Sequence, residues 1–130
     1  MYSDKVIDHF TNPRNIGTLE KPDGYARVGS PGCGDLMELF LRIADNKIVD
    51  VRYRAFGCAA AIASSSMASE LIKGKSLEEA ALLTDEQVTT ELGGLPEIKL
   101  HCAVMAASAI NAALKDFCIK NPDNAICASL

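Results

Sequence analysis

The chain has 130 residues with seventeen acidic and thirteen basic side chains, a formal net charge of −4, and 48% of its residues are hydrophobic. A chain of this size is expected to form one domain, residues 1–130, burying about two-thirds of its unfolded surface, with the tail after about residue 118 frayed. The acidic balance, the lack of a basic run and an aromatic content of 5% set nucleic acid aside, and no uninterrupted apolar stretch reaches the roughly 18 residues of a membrane span, so a cytoplasmic protein with no membrane partner is expected.

Ser3 predicts the N-cap of a short helix that turns Val6, Ile7 and Phe10 to one side and ends at Asn12-Pro13. His9 on that helix reads as solvated. An irregular connection follows to Gly24. From Tyr25 the pattern is extended, and Met37, Leu39, Leu41 and Ile43 alternate with polar Glu38 and Arg42. Ala44 to Lys47 carries turn chemistry, after which Val49, Val51, Tyr53 and Ala55 repeat the period of two. Three antiparallel strands are the economical result.

After Cys58 the pattern becomes helical through alanines and serines to Ile72, with Gly74 as its stop. Ser76 with Glu79, and Thr84 with Gln87, predict capping boxes for two short helices. Gly93-Gly94 breaks the chain, Pro96 opens a turn, and Ala106, Ile110, Ala113, Leu114 and Phe117 recur at helical spacing in a long last helix. Strands first and helices afterwards predict an α+β fold, a small three-stranded antiparallel sheet with helices packed mainly on one face.

Five cysteines, an odd number without a secretory signal, predict reduced thiols rather than a disulfide framework. Cys33 stands between two glycines with Asp35 two residues on, Cys58 follows Gly57 where strand gives way to helix, and His101-Cys102 heads the last helix. A packing cysteine belongs inside an apolar stripe, whereas these three lie at element edges beside other donors. Three thiolates with a carboxylate and an imidazole select zinc, Cu(I) or iron-sulfur chemistry. Cys58 and Cys102, each near a helix start, are expected to ionise readily, since helix N-termini lower a thiol pKa from about 8.5 toward 3.5–7.5. Cys118 and Cys127 read as structural.

The motifs Asn12-Pro13-Arg14-Asn15, Gly29-Ser30-Pro31-Gly32-Cys33-Gly34-Asp35, Phe56-Gly57-Cys58 and Lys99-Leu100-His101-Cys102 give the chain, over nearly its whole length, a sequence that resembles the IscU/NifU-type iron-sulfur cluster assembly scaffolds. The resemblance implies an IscU/SufE-like fold and a non-enzymatic scaffold that accepts sulfur from a cysteine desulfurase, combines it with iron, holds a labile [2Fe-2S] cluster and passes it to apo-proteins. It also implies Cys33, Asp35, Cys58 and Cys102 as cluster or metal ligands, with His101 competing for the fourth position, Cys102 as the persulfide acceptor and Lys99 as an auxiliary group.

Zinc in the isolated protein, a homodimer and a [4Fe-4S] cluster formed from two smaller ones stay open at this point. Two departures stand out. Ala59 and Ala60 replace the family's glycine and serine, and Leu95-Pro96-Glu97-Ile98-Lys99 differs from the Leu-Pro-Pro-Val-Lys form read by an Hsp70-type chaperone, so chaperone dependence is not carried over to this chain. The alternatives are a structural zinc protein, with Asp35 or His101 completing a tetrahedral site, and a zinc-dependent sulfurtransferase of the SufU type. The compact spacing before Cys102 and the presence of His101 favour the scaffold.

Overall fold

The computed structural model describes residues 2–30 and 34–130. In chain order the elements are α1 (Asp4–Thr11), β1 (Gly24–Ser30), β2 (Asp35–Ala44), β3 (Lys47–Phe56), α2 (Ala59–Ile72), α3 (Leu77–Ala81), α4 (Asp85–Glu91) and α5 (Leu100–Lys120), with 3-10 turns at Glu97–Lys99 and Ala125–Ser129. The sheet order is β1-β2-β3 and both pairings are antiparallel. The helices α2 and α5 cover one face, as the alternation of buried Met37, Leu39 and Leu41 along β2 requires.

The β2–β3 connection is a two-residue loop whose central residues, Asp45 (φ 53°) and Asn46 (φ 59°), are both left-handed. That is the type I′ geometry whose twist matches the strands, and Asp and Asn tolerate it better than other side chains. A register irregularity between Arg42 and Ile43 then pairs Ile43 with Ile48. It corrects one expectation: Ile48 points into the core, while Val49 is exposed. A one-residue shift reverses the faces of a strand.

The first helix is also rotated from its expected setting. Ser3 caps it, its hydroxyl accepting the Val6 N–H at 3.1 Å while donating to the Leu92 carbonyl. The buried pair is Val6 and His9, and Ile7 and Phe10 remain 50% and 43% exposed. Positions 6/9 and 7/10 have the same helical spacing, so periodicity could not choose between them. The choice is made by α2, which offers hydroxyls there: His9 Nδ1 lies 2.8 Å from Ser66 Oγ, the same oxygen accepts the Arg14 N–H at 3.0 Å, and Ser69 Oγ accepts from Asn15 at 2.9 Å. His9 is therefore a buried, bonded residue and not a solvated one.

Small residues bring α2 and α5 close to the sheet. Ala60, Ala61, Ala63, Ser64, Ser65, Ser66 and Ala68 of α2 are buried. Gly24 at the start of β1 lies so near α5 that a Cβ there would meet the Ala113 carbonyl oxygen at 2.6 Å. By length and composition α5 with its preceding turn could cross a membrane, but half of that stretch is buried in the fold, where it is the core helix. It runs past Phe117 to Lys120, and the segment beyond it forms the second 3-10 turn. Cys118 and Cys127, whose Cα atoms are 5.5 Å apart, are joined as a disulfide, contrary to the expectation of reduced thiols throughout. The fold returns the chain to α5 at disulfide spacing, a proximity that spacing in sequence does not reveal.

Burial pushes the His9 pKa below its usual 6.5, helped by the nearby Arg14 guanidinium and opposed by Asp8 and Glu70. The unfolded chain therefore binds the proton more readily than the folded one, and stability present above about pH 6.5 is lost as pH falls through that value. Thermal melts between about pH 8 and 5.5 should show Tm declining toward acid, and His9→Asn should flatten that part of the profile.

Candidate metal centre

Three separate stretches of the chain meet at one corner of the sheet. The β2–β3 ladder pairs Leu36 with Phe56, which sets Asp35 at the start of β2 beside Gly57 and Cys58 at the end of β3. Gly57 is needed twice over. Its φ is +145°, and a Cβ at that position would lie 2.1 Å from Asp35 Oδ1, so the carboxylate occupies the space a side chain would fill. The Cys58 N–H then donates to Asp35 Oδ1 at 3.3 Å, and Cys58 serves as the N-cap of α2.

The start of α5 supplies the third group. Cys102 Sγ is 3.9 Å from Cys58 Sγ and 3.7 Å from Asp35 Oδ2, and Cys58 Sγ is 3.9 Å from the same oxygen. The donor atoms of Asp35, Cys58 and Cys102 all lie within 4.8 Å of one another. His101 joins at the rim, its Nε2 3.6 Å from Cys102 Sγ and 3.7 Å from Asp35 Oδ2. Lys99 is also near, for its ammonium pKa is raised chiefly by the charge of Cys58, with burial opposing and with further contributions from Tyr2 and Cys102. Cys33 lies outside the described residues; Gly34, with φ 72°, leads directly from it into Asp35.

The site is steeply graded in exposure. Cys102 is fully buried and Asp35 nearly so, whereas Cys58 and His101 are half-buried and form the approach. This gradient corrects the expectation that both thiols ionise readily. The Cys102 pKa is pushed up to about 12, first by burial and then by the charges and hydrogen bonds of Cys58 and Asp35. A helix N-terminus contributes about 0.3–1 kcal/mol, less than the roughly 1.36 kcal/mol that one pKa unit represents. Dehydration and like charge win at Cys102.

Two soft sulfur donors, one hard oxygen donor and an imidazole at the edge form a set that a borderline metal ion or an iron-sulfur unit satisfies, and a cation placed among them turns mutual repulsion into attraction. The structure brings Asp35, Cys58, His101 and Cys102 together, with Lys99 beside them. What the sequence did not reveal is the part of Gly57, which makes room for the carboxylate, and of the Cys58 backbone N–H, which holds it. The only sequence signal for either was a glycine at the very end of a strand pattern.

Residues 1–124 match the family described as "NifU-like N terminal domain". The chain is 54% identical over 121 residues to iron-sulfur cluster assembly scaffold protein IscU 1 of Archaeoglobus fulgidus, spanning 93% of this chain and 79% of that one. It is 49% identical over 120 residues to the iron-sulfur cluster assembly scaffold protein IscU of Haemophilus influenzae, spanning 89% and 94%. A Drosophila melanogaster relative, 48% identical over 124 residues and spanning 92% and 80%, is named iron-sulfur cluster assembly enzyme IscU. Two solved structures share the fold: a putative scaffold for the SUF system from Fervidobacterium islandicum, with TM-score 0.71 and 23% identity over 87% and 96% of the chains, and the N-terminal part of a NifU-like protein from Brucella abortus, with TM-score 0.72 and 21% identity over 91% and 94%.

Because Cys102 must lose its proton to ligate, metal affinity should rise with pH by about tenfold per unit for each proton displaced. Cobalt(II) titrations followed by the sulfur-to-metal absorption between about pH 6.5 and 8.5 measure this, and a flat profile contradicts it. Gly57→Ala should lower the affinity by about tenfold or more at every pH, by displacing the Asp35 carboxylate, with circular dichroism still reporting the parent fold.

Proposed function

This chain belongs to the NifU-like N terminal domain family, and on that premise we propose that it is a scaffold on which iron-sulfur clusters are assembled and from which they are handed on. The observation that carries the reading is the convergence of Asp35, Cys58 and Cys102 from three elements onto one point. The cluster is cargo, built and released, so the protein acts as a carrier without turnover of its own. In this reading its cargo is a [2Fe-2S] unit. Two irons sharing two sulfides need four outer ligands; Cys33, Cys58 and Cys102 supply three, and Asp35 or His101 the fourth.

Sulfur arrives as a persulfide on a cysteine desulfurase. Cys102 Sγ, as the thiolate, attacks the outer sulfur, forming a new S–S bond at Cys102 as the bond to the desulfurase cysteine breaks and that cysteine leaves as thiolate. Conversion of the transferred sulfur to sulfide takes two further electrons from a separate reductant. Since Cys102 is fully buried, its attack requires the start of α5 to swing outward. The stretch before it is suited to this: Gly93 and Gly94 have φ of 78° and 101°, and a single 3-10 turn, Glu97–Lys99, joins them to α5. Lys99, close to Cys58, supplies a cation for the incoming anionic sulfur.

Asp35 suits a cluster that must leave. A carboxylate oxygen is a harder donor than a thiolate and is the first to yield to an acceptor's cysteines. The family and the names of the relatives favour this reading over a zinc-dependent sulfurtransferase or a structural zinc protein. Zinc in the purified protein agrees with all three, since the same thiolates bind it.

Anaerobic reconstitution with a cysteine desulfurase, cysteine and ferrous iron tests the proposal, read by visible absorbance, Mössbauer spectra and transfer to an apo-ferredoxin. A coloured, transferable cluster is expected; colourless protein, or a cluster that never transfers, would overturn it. Asp35→Ala should retain its cluster several-fold longer than the parent in the presence of apo-acceptor. Cys102→Ser should fail to accumulate persulfide by mass spectrometry; persulfide that persists on Cys58 would move the acceptor role to the more exposed thiol.

A further inference from the structure

Two cysteines lie outside the site, and the fold joins them. Cys118 is in the last turn of α5, and Cys127, nine residues later, is in the 3-10 turn Ala125–Ser129 that follows. The segment between them is polar, Asn121-Pro122-Asp123-Asn124, and folds back toward the sheet, where Asn124 donates to the Asn46 side chain in the β2–β3 loop at 2.8 Å. Beside it is a pocket of about 190 Å³, with Ala81 and Leu114 on its apolar side, Asn111 and Lys115 on its polar side, and both Cys118 and Cys127 in its lining.

Few apolar groups hold this segment down. Ile126 and Cys127 are partly buried against the core, while residues 121–123 are exposed. Ordering a ten-residue stretch costs entropy that so small a burial does not offset, so the covalent bond carries much of the attachment. We propose that Cys118 and Cys127 are a thiol–disulfide latch: oxidised, it closes residues 121–130 onto α5; reduced, it releases them and opens the Leu114 pocket.

The chemistry is thiol–disulfide exchange. A thiolate of a dithiol reductant, entering through the pocket that both cysteines line, attacks one sulfur, and the other leaves as thiolate. The second thiol of the reductant then attacks the mixed disulfide, releasing the remaining protein sulfur and closing the reductant's own disulfide. Two electrons pass to the protein, and the two freed sulfurs take up protons. A low-molecular-weight disulfide such as oxidised glutathione reverses the step and leaves as two thiols.

The latch is separate from the metal centre. Cys102 precedes Cys118 by sixteen residues in one helix, about 24 Å at 1.5 Å per residue. No exchange between the two sulfur pairs is possible within one molecule. Cys58 and Cys102, though 3.9 Å apart, remain thiols.

The test uses the purified full chain, equilibrated with either reduced dithiothreitol or oxidised glutathione. Differential alkylation and tryptic mapping should find the peptide Asp116–Lys120 linked to the peptide carrying Cys127 only after oxidation. Hydrogen exchange at residues 121–130 should quicken by about tenfold or more on reduction, and Cys127→Ser should exchange at the reduced rate in both conditions while forming its cluster in parent yield. Absence of the linked peptide after oxidation, equal exchange in both states, or a Cys127→Ser segment as protected as the oxidised parent would each overturn the latch.

Discussion

Asp35, Cys58 and Cys102 are crowded into one largely dehydrated corner, and the charge of Cys102 is the one that this corner opposes. Three donors within 4.8 Å, with one thiol fully buried and the carboxylate nearly so, form an arrangement that a folding chain ordinarily avoids. Each added negative charge raises the cost of the next, and the raised Cys102 pKa records that cost. The cation at hand, Lys99, stands half-buried at the rim. Cys102 keeps a proton that a metal ion or an iron-sulfur unit must displace, and loading changes the surroundings of that sulfur from repulsive to attractive.

The rest of the fold keeps those groups together. The antiparallel register of β2 with β3 fixes Asp35 against the Gly57-Cys58 corner, and the missing Gly57 side chain lets the carboxylate enter. From the other side, α5 carries His101 and Cys102 across the sheet. It can come that close because its buried positions include Ala103, Ala106, Ala109 and Ala113, with Gly24 opposite Ala113. Close packing of small residues leaves little freedom for the body of the helix to slide, so movement of His101 and Cys102 is confined to the first turn of α5.

Much of this was legible in the sequence, since the relevant signals are local. The capping boxes at Ser76/Glu79 and Thr84/Gln87 formed as their spacing predicts, and the alternation from Met37 to Leu41 identified the buried sheet face. Where the structure departs from the local pattern, tertiary contacts have chosen between locally equivalent options. Val49 and Ile48 were separated by a register irregularity set between strands, and Phe10 and His9 by the hydroxyls of a helix more than fifty residues away. Cys102 obeys the same rule: its place near a helix start is local, but its dehydration comes from the fold closing over it. Cys118 and Cys127 found each other through a chain reversal that no motif announces.

The donors are attached with unequal firmness, and that inequality bears on how a scaffold can load and unload. Asp35 and Cys58 are fastened to each other through a backbone N–H and lie at the end of the β2–β3 ladder, next to the Leu36–Phe56 pair. Cys102 and His101 begin a helix whose preceding residues are two left-handed glycines and a single 3-10 turn, the kind of segment that opens at low cost. A bound cluster would bridge the firm half and the movable half, acting as a cross-link that draws the start of α5 onto the sheet. Loading would then rigidify the molecule by mass action, and release would restore the freedom of the start of α5 to swing outward. On the proposed reading the same motion would serve both sulfur entry and cluster exit, and the cargo itself would set which of the two conformations prevails.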